Sequence, residues 1–448
     1  MDTKEFYRLT FKTVFPLMIQ SLLLSSINFI GQAMVSKLGL AEIAAVGVAN
    51  KIYSLFYLVL YGTCCACVMF ISQYMGKKDI DGIRRTMGMT FTITVSLGIL
   101  VTLITLIFPK ECISLFTDDT EVIKHGTAYL RVASTSYLLL SFIYPINYML
   151  RGIARVQIIL CTSIMSVIIN ILTTYIFIFG KFGMPQLGVT GAALGTVITR
   201  GIELLILIIY LLIIKNEVIT AIPLMFTFHF AGFKKFLYKA LPLAGNEFFW
   251  GIGTTLYFVI YGHMGTAQLA AMSIISTIQT LEQTFSLSFS SSAAVIIGNE
   301  IGKGNKKEVL RCADRFHKLA LYVGVFVSVM LFVLINPIVK LYQVQGTETG
   351  LYLTQCLMVM GGFVILHCYN SMNIEGLLRS GGDIKYVLLM DMGGIWLIGL
   401  PLTFIMGELL GLPIVMVYSA FIVVELYKLP MGIYRYRSHK WIHQLDLK

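Results

Sequence analysis

Charged residues are scarce in this chain. Asp, Glu, Lys and Arg make up 13% of its 448 residues, whereas 57% are hydrophobic and the mean hydropathy is +0.81. A soluble domain typically carries about 25% charged residues, because charge covers the surface that faces water. This shortage excludes an ordinary soluble globular protein, and we expect a chain embedded in a lipid bilayer.

Motifs of catalytic and metal centres are missing as well. No HExxH motif, cluster of histidines or Ser/His/Asp grouping falls in the apolar segments, which argues against a membrane-embedded enzyme. The eight cysteines form no paired CxxC metal pattern. We interpret their densest cluster, Cys64-Cys65-Ala66-Cys67, as a stretch of small residues where helices approach closely.

The formal net charge is +11, yet the basic residues do not form the pattern of a nucleic-acid-binding protein. They lie in short segments beside apolar runs, where positive charge fixes the orientation of a membrane protein. We therefore predict a multi-pass protein of the cytoplasmic membrane, with both termini in the cytoplasm and no nucleic-acid partner. The basic segments contain Lys4, Arg8 and Lys12; Lys77, Lys78, Arg84 and Arg85; Lys303, Lys306, Lys307 and Arg311; and Arg435, Arg437 and Lys440.

Twelve apolar segments are long enough to cross a bilayer, which takes about 20 helical residues. The sequence therefore predicts an all-α integral membrane protein with twelve transmembrane helices in two six-helix lobes. The predicted spans are residues 13–37, 46–73, 87–108, 127–150, 157–180, 187–214, 236–262, 272–298, 316–338, 350–377, 384–407 and 410–434.

The two halves of the chain repeat each other. Such a duplication is typical of secondary transporters, whose substrate site lies between the repeats. An even number of spans in each repeat gives both halves the same orientation, so the repeats are parallel. We predict an N-terminal lobe over 1–214, a cytoplasmic linker over 215–235 and a C-terminal lobe over 236–448. The repeat offset is 226 residues, as in Pro16/Pro242, Gly39/Gly265, Ala44/Ala270, Ile52/Ile278, Gly76/Gly302 and Arg85/Arg311.

Three acidic residues are predicted to lie at membrane depth without a basic neighbour on the same helix: Glu247, Glu282 and Asp391. An ionised group there costs roughly 2.5–3.5 kcal/mol, so it should be protonated, hydrated or bound to a cation. We expect a coupling or substrate-cation site; the alternative is a structural acid hydrogen-bonded between helices. Glu375 is a fourth candidate, although its spacing from Arg379 also fits a local ion pair.

Two coupling ions suit these acids, and the sequence does not choose between them. Burial favours the neutral form of a carboxyl group, which suits uptake and release of H⁺. Na⁺ is a hard cation that prefers oxygen ligands, and Glu247 with the amides of Asn246, Asn370 and Asn373 is the candidate ligand set. No cofactor other than the coupling ion is expected.

Two other acids at membrane depth have a basic neighbour on their own helix. Glu203 follows Arg200 by three residues, and Glu425 precedes Lys428 by three. Side chains at this spacing meet on one helical face. We interpret both as structural ion pairs within a single helix.

Aromatic residues accompany the acids along the sequence. Aromatic faces attract organic cations, so we expect Trp250, Tyr257 and Tyr369 to contact such a substrate. Packing against lipid or protein is the plainer alternative for each ring. Trp250 is the first candidate, because it stands three residues from Glu247 on a neighbouring helical face.

Several short motifs recur at matching places in both halves. With these motifs in two six-span repeats, the chain resembles the MATE (multidrug and toxic compound extrusion) transporters of the MOP superfamily over all twelve spans. The motifs are Leu38-Gly39…Ala44-Ala45 and Met264-Gly265…Ala270-Ala271, Gly76-Lys77 and Gly302-Lys303, Leu187-Gly-Val-Thr-Gly-Ala-Ala193, and Leu378-Arg379-Ser-Gly-Gly-Asp383.

The resemblance implies two lobes around a central cavity that opens alternately to either side, with cationic drugs exported against inward Na⁺ or H⁺. It also implies a bilayer environment and small organic cations as partners, and we expect a monomer. A flippase for lipid-linked saccharides, as in other branches of the superfamily, is the alternative. Those branches often have a cationic cavity, whereas the unpaired buried charges here are acidic.

The chain departs from the pattern of these relatives at their acidic positions. Many of them carry an aspartate before a threonine where this chain has Gly31-Gln32, so the resemblance does not support a coupling acid in the first span. In the sodium-linked branch, the relatives carry two acids at positions that align with Trp250 and with a residue near Cys368 of this chain. We expect Glu247 and Glu375 to take their place.

Overall fold

The computed structural model describes residues 2–214 and 222–447, and in these ranges it contains helices and connecting loops but no β-strand. The chain forms the helices α1 (Thr3–Val35), α2 (Leu40–Lys77), α3 (Ile80–Ile107), α4 (Pro109–Ser114), α5 (Thr120–Gly152), α6 (Val156–Phe179), α7 (Val189–Ile213), α8 (Ile222–Met225), α9 (Phe230–Met264), α10 (Thr266–Gly302), α11 (Lys306–Leu341), α12 (Glu348–Ser371), α13 (Ile384–Met392), α14 (Leu400–Phe404) and α15 (Ile414–Arg437).

Three π-helical segments interrupt the α-helices of the C-terminal half. They are π1 (Met372–Leu378), which continues α12, π2 (Gly393–Gly399), which joins α13 to α14, and π3 (Ile405–Leu409), which follows α14. A π-helical turn holds an extra residue and is frequent at functional sites, because it rotates the side chains that follow it. The rotation after π1 matters for the charged residues described below.

Each predicted span coincides with one long helical segment, when α12 is counted with π1 and α13 through π3 as one segment. Among the described residues, nine of these segments are long and apolar enough to cross a membrane. The other long helices, α5, α9 and α10, are richer in polar residues. The all-α membrane fold is therefore confirmed, and the predicted count of twelve spans is consistent with it.

The described chain divides into two compact units. The N-terminal unit comprises Phe15–Ala244 with Leu447, and the C-terminal unit comprises residues 2–14 with Gly245–Asp446. The boundaries of these units fall within α1 and α9. The predicted lobe boundaries at residues 214 and 236 stay predictions, and residues 215–221 of the predicted linker lie outside the described residues.

The same packing pattern occurs in both units. In the N-terminal unit α5 packs against α2, α3 and α7, and in the C-terminal unit α12 packs against α10, α11 and α15. Buried apolar side chains fill the space around these central helices, with Leu60, Leu130 and Tyr137 in one unit and Ile275 and Leu357 in the other. Because the paired helices occupy matching places in the two sequence repeats, the duplication gives each unit the same frame.

A glycine begins the second long helix of each repeat. Gly39 and Gly265 have φ angles of 156° and 138°, a backbone region that favours glycine. A Cβ at Gly39 would clash with the carboxylate of Glu42, and one at Gly265 would lie 2.6 Å from Oε1 of Gln268. The repeated Leu/Met-Gly motif therefore marks a tight turn that a larger residue would strain.

Candidate functional site

Four charged side chains from four segments meet in the interior of the C-terminal unit. Nη2 of Arg379, which follows π1, lies 2.9 Å from Oε1 of Glu247 on α9 and 3.7 Å from Oδ2 of Asp391 on α13. Nζ of Lys428 on α15 lies 3.1 Å from Oδ1 of Asp391. Each of the four side chains is at most 12% exposed. We call these residues the arginine–lysine network.

The π-helical segment explains why Arg379 reaches other helices. The Arg379 N–H donates to the carbonyl of Ile374, five residues back, at 3.1 Å, so this segment has more residues per turn than an α-helix and rotates less per residue. Glu375 lies inside π1, one turn before Arg379. The local Glu375–Arg379 pair, which the spacing of the two residues also fits, stays a prediction.

A histidine joins a second pair of acids. Nδ1 of His367 lies 3.0 Å from Oε1 of Glu425, and Nε2 lies 3.7 Å from Oε2 of Glu282. Nδ2 of Asn370 donates to Oε2 of Glu425 at 2.7 Å. Because only the doubly protonated imidazolium carries a proton on both ring nitrogens, that form satisfies both carboxylates. We call Glu282, His367, Asn370 and Glu425 the histidine network.

Of the two ion pairs predicted from i,i+3 spacing within one helix, one is correct and the other is wrong. Nη1 of Arg200 lies 2.6 Å from Oε2 of Glu203, three residues along α7, so that predicted pair is confirmed. The predicted Glu425–Lys428 pair is wrong, because both residues find partners on other helices. Glu425 lies in the histidine network and Lys428 in the arginine–lysine network.

A cavity of about 200 Å³ in the C-terminal unit reaches both networks. Glu282, His367, Glu425 and Lys428 line its polar side. The other walls are rich in aromatic and apolar side chains. The aromatic lining residues are Trp250, Tyr257, Phe258, Tyr261, Phe363, Tyr418 and Phe421.

The predicted site residues fall in three places. Glu247 and Asp391 lie in the arginine–lysine network, where Nδ2 of Asn246 donates to Oδ2 of Asp391 at 3.3 Å. Glu282 and Asn370 lie in the histidine network, and Trp250 and Tyr257 line the cavity. Asn373 and Tyr369 are instead neighbours of His317: Oδ1 of Asn373 is 3.3 Å from its Nε2, and the Tyr369 ring stacks on its imidazole at 4.8 Å.

Carboxyl groups outnumber bases in this interior. The two networks contain four carboxyl groups, Glu375 adds a fifth, and the basic partners are Arg379, Lys428 and His367. Even with His367 protonated, two carboxyl groups have no matching positive charge. Uncompensated charge is costly in a dry interior, so this cluster can take up protons or another cation.

Sequence reasoning did not single out His367, and it considered Arg379 and Lys428 only as partners of acids on their own helices. Arg379, Lys428 and His367 all lie within predicted spans or at their ends, where a charged basic residue costs as much free energy as a charged acid does. The signal was present, because the same cost applies to basic residues at membrane depth. What the sequence does not contain is the pairing, since each base meets an acid from a different helix.

The sequence profile of the MatE family matches residues 16–176 and 242–405. The two matches begin at Pro16 and Pro242, the pair of positions that opens the internal repeat. The chain belongs to the MatE family. It is therefore a multi-pass membrane transporter of the MATE multidrug efflux family and not an enzyme, as its sequence predicts.

Relatives of similar length match along most of this MATE chain. An uncharacterized transporter of Bacillus subtilis, YisQ, is 24% identical, with 97% of this chain and 95% of that protein covered. NorM of Bacillus licheniformis, a probable multidrug resistance protein, is 25% identical over 91% of this chain and 90% of its own length. A mutant of the Vibrio cholerae MATE transporter VcmN has the same fold, with a TM-score of 0.85, 16% identity and coverage of 98% of this chain and 99% of that one.

Proposed function

We propose that this transporter exports aromatic organic cations from the cytoplasm and is driven by protons that enter in exchange. Export proceeds by alternating access in the cytoplasmic membrane. The observation that carries this proposal is the surplus of buried carboxyl groups over bases in the C-terminal unit. Glu247, Asp391 and Glu282 are the coupling acids, and Glu375 provides a further carboxyl group beside them.

The surplus of acids provides the driving step. When the carboxyl groups beyond the reach of Arg379, Lys428 and His367 are protonated, the interior is close to neutral. When they lose their protons, the interior attracts a positively charged substrate. A proton and a cationic substrate therefore compete for the same negative charge, and that competition is the physical basis of exchange.

The pairing of the acids favours a proton over Na⁺. Oxygens that would coordinate Na⁺ already face positive charge: Glu247 faces Arg379 at 2.9 Å, and Asp391 faces Lys428 at 3.1 Å. A proton adds to a carboxylate without requiring a shell of several oxygen ligands, so it fits these crowded acids better.

The cavity supports an aromatic organic cation as the exported compound. Its aromatic walls suit a flat apolar ring, and aromatic faces attract organic cations. Glu282 and Glu425 line this cavity and supply negative charge. Relatives that cover most of the chain are named as probable multidrug resistance proteins, and this does not favour the alternative of a lipid-linked saccharide flippase.

The test measures accumulation of a fluorescent aromatic dication in everted membrane vesicles. We expect accumulation under an imposed proton gradient, with no further gain from a Na⁺ gradient. The Glu247→Gln variant should lose accumulation while keeping wild-type expression and gel-filtration behaviour. Glu348→Gln, which changes an exposed acid in the first turn of α12, is the matched control and should transport normally.

Three outcomes would contradict the proposal. Accumulation driven by Na⁺ alone would assign the other coupling ion. Accumulation that responds to neither gradient would exclude an antiporter. Wild-type transport by Glu247→Gln would remove that acid from the mechanism.

A further inference from the structure

The N-terminal unit contains a second cavity, of about 110 Å³, lined by α1, α2, α5, α6 and α7. Its wall is polar, with Gln32, Asn50, Asn170 and Thr199 among the lining residues. Arg200 is the one charged residue in the described lining, which contains no Asp or Glu. This volume has room for several water molecules, and therefore for one polar end group of a larger molecule.

Arg200 has hydrogen-bond donors at this wall that its contact with Glu203 does not use. Its Nη1 lies 2.6 Å from Oε2 of Glu203, which is buried and does not line the cavity. A guanidinium group carries five N–H donors, and that contact with Glu203 is the one hydrogen bond that the described residues give Arg200. The Arg200 side chain is 15% exposed, so the remaining donors are accessible from the cavity.

The two cavities occupy equivalent places in the two repeats. The last helices, α7 and α15, begin at Val189 and Ile414, an offset of 225 residues, while α1 and α2 match α9 and α10 at the offset of 226. At these offsets both cavities are lined by matched positions. The matched pairs are Gly31/Tyr257, Gln32/Phe258, Val46/Met272, Asn50/Ser276, Tyr53/Gln279, Thr196/Phe421, Thr199/Val424 and Arg200/Glu425.

The charge is inverted at the matched positions. Arg200 stands where the C-terminal unit has Glu425, and the buried Phe56 stands where it has Glu282. The pair on the last helix is reversed as a whole, because Arg200 and Glu203 match Glu425 and Lys428. At these matched positions the duplicated frame therefore presents carboxylates in the C-terminal cavity, which His367 and Lys428 also line, and a guanidinium group in the N-terminal cavity.

We propose that the N-terminal cavity binds the carboxylate of an aromatic substrate, with Arg200 as the charged contact. A guanidinium group recognises a carboxylate through two parallel N–H···O bonds, and Tyr53, Tyr129 and Tyr137 line the cavity beside Arg200. The exported compounds then include amphoteric molecules that carry both an amine and a carboxylate. This inference rests on the proposed export of aromatic cations and extends it to zwitterions.

The experiment compares two probes that differ in one charge, 4-(aminomethyl)benzoate and its methyl ester. Both are radiolabelled, and their transport by the full-length protein is measured in proteoliposomes under a proton gradient. The Arg200→Gln/Glu203→Gln variant removes both charges and leaves no buried charge unpaired. We expect its KM to rise at least tenfold for the zwitterion and to change less than twofold for the ester.

Two further variants separate recognition from structure. Glu203→Gln keeps Arg200 and frees its guanidinium group, so its KM for the zwitterion should stay equal or fall. Arg200→Lys keeps the charge without the paired donors and should raise the zwitterion KM several-fold, with the ester unaffected. If the double variant fails gel filtration, the ratio of the two KM values in Arg200→Lys decides the question.

The outcomes distinguish this inference from the proposed function. Equal changes for both probes, or no change for either, in these Arg200 variants would overturn the carboxylate site while wild-type transport of the ester still supports export. Failure of the wild-type protein to transport either probe under the proton gradient would instead contradict the proposed function.

Discussion

The ion pair between Glu247 and Arg379 allows a quantitative test of the arginine–lysine network. At 2.9 Å and an effective dielectric constant of about 20, the attraction between the two charges is roughly 6 kcal/mol. The desolvation of two buried ions, several kcal/mol each, offsets most of that attraction. The pair as a whole should therefore contribute little to stability, whereas the removal of one partner should be costly.

The two single variants should lower the free energy of unfolding by different amounts. Arg379→Met leaves Glu247 buried without its cation, which should lower the free energy of unfolding by about 3–5 kcal/mol. Glu247→Gln should cost only about 1–2 kcal/mol, because Arg379 keeps a second carboxylate, Asp391, at 3.7 Å. The double variant should be at least about 2 kcal/mol more stable than Arg379→Met alone, since it leaves no isolated charge.

The measurement is reversible unfolding of the purified protein in mixed detergent micelles, at pH 8 and at pH 5. The deficit of Arg379→Met should shrink at pH 5, because protonation discharges the isolated carboxylate. The exposed pair Lys124 and Glu121, at 3.5 Å and with side chains 71% and 60% exposed, is the control cycle and should show a coupling below about 0.5 kcal/mol. Additive effects of Glu247→Gln and Arg379→Met, within about 0.5 kcal/mol, would refute the reasoning.

Three further predictions test the geometry of the two units. Gly265→Ala should destabilise the protein by at least about 1 kcal/mol, through its φ of 138° and the contact with Gln268; Gly47→Ala, where a Cβ would have nothing within 4 Å, should be neutral or stabilising by about 0.5–1 kcal/mol, and equal unfolding midpoints would contradict this. Trp250→Ala should raise the KM for an aromatic cation several-fold, because Trp250 lines the cavity, whereas Tyr369→Phe should leave it unchanged, because Tyr369 packs on His317; the reverse order of effects would place the substrate elsewhere. His367→Gln should keep downhill substrate flux but lose proton-driven accumulation, because Gln cannot take up a proton between Glu282 and Glu425; wild-type accumulation by this variant would exclude His367 from coupling.

Local patterns in the sequence predict the helices well. Each of the twelve apolar segments coincides with a helical segment, because span length and hydropathy are properties of consecutive residues. The Arg200–Glu203 pair was predicted for the same reason, since its two members share one α-helical face. The glycine at the start of α2 and α10 was visible as a repeated motif, although its φ angle was not.

Charge pairing in the interior depends on contacts between helices, and there prediction from spacing fails. Glu425 and Lys428 have the same i,i+3 spacing as Arg200 and Glu203, yet each meets a residue of another helix. Spacing along one α-helix is therefore a sufficient guide only when no opposite charge comes nearer from a neighbouring helix.

The two repeats show how a shared frame acquires unequal charge. Arg151 and Arg379 follow the same Leu in each half, and both reach back to the first helix of their repeat. Among the described residues Nη2 of Arg151 meets no acid there and donates to Oε1 of Gln20 at 3.0 Å, whereas Arg379 meets Glu247, whose counterpart is Ser21. The basic residue is thus common to both halves, and the acids distinguish them. A base without a nearby acid leaves positive charge, and bases among surplus acids leave negative charge. The shared frame therefore carries opposite excess charge at these matched positions of the two units.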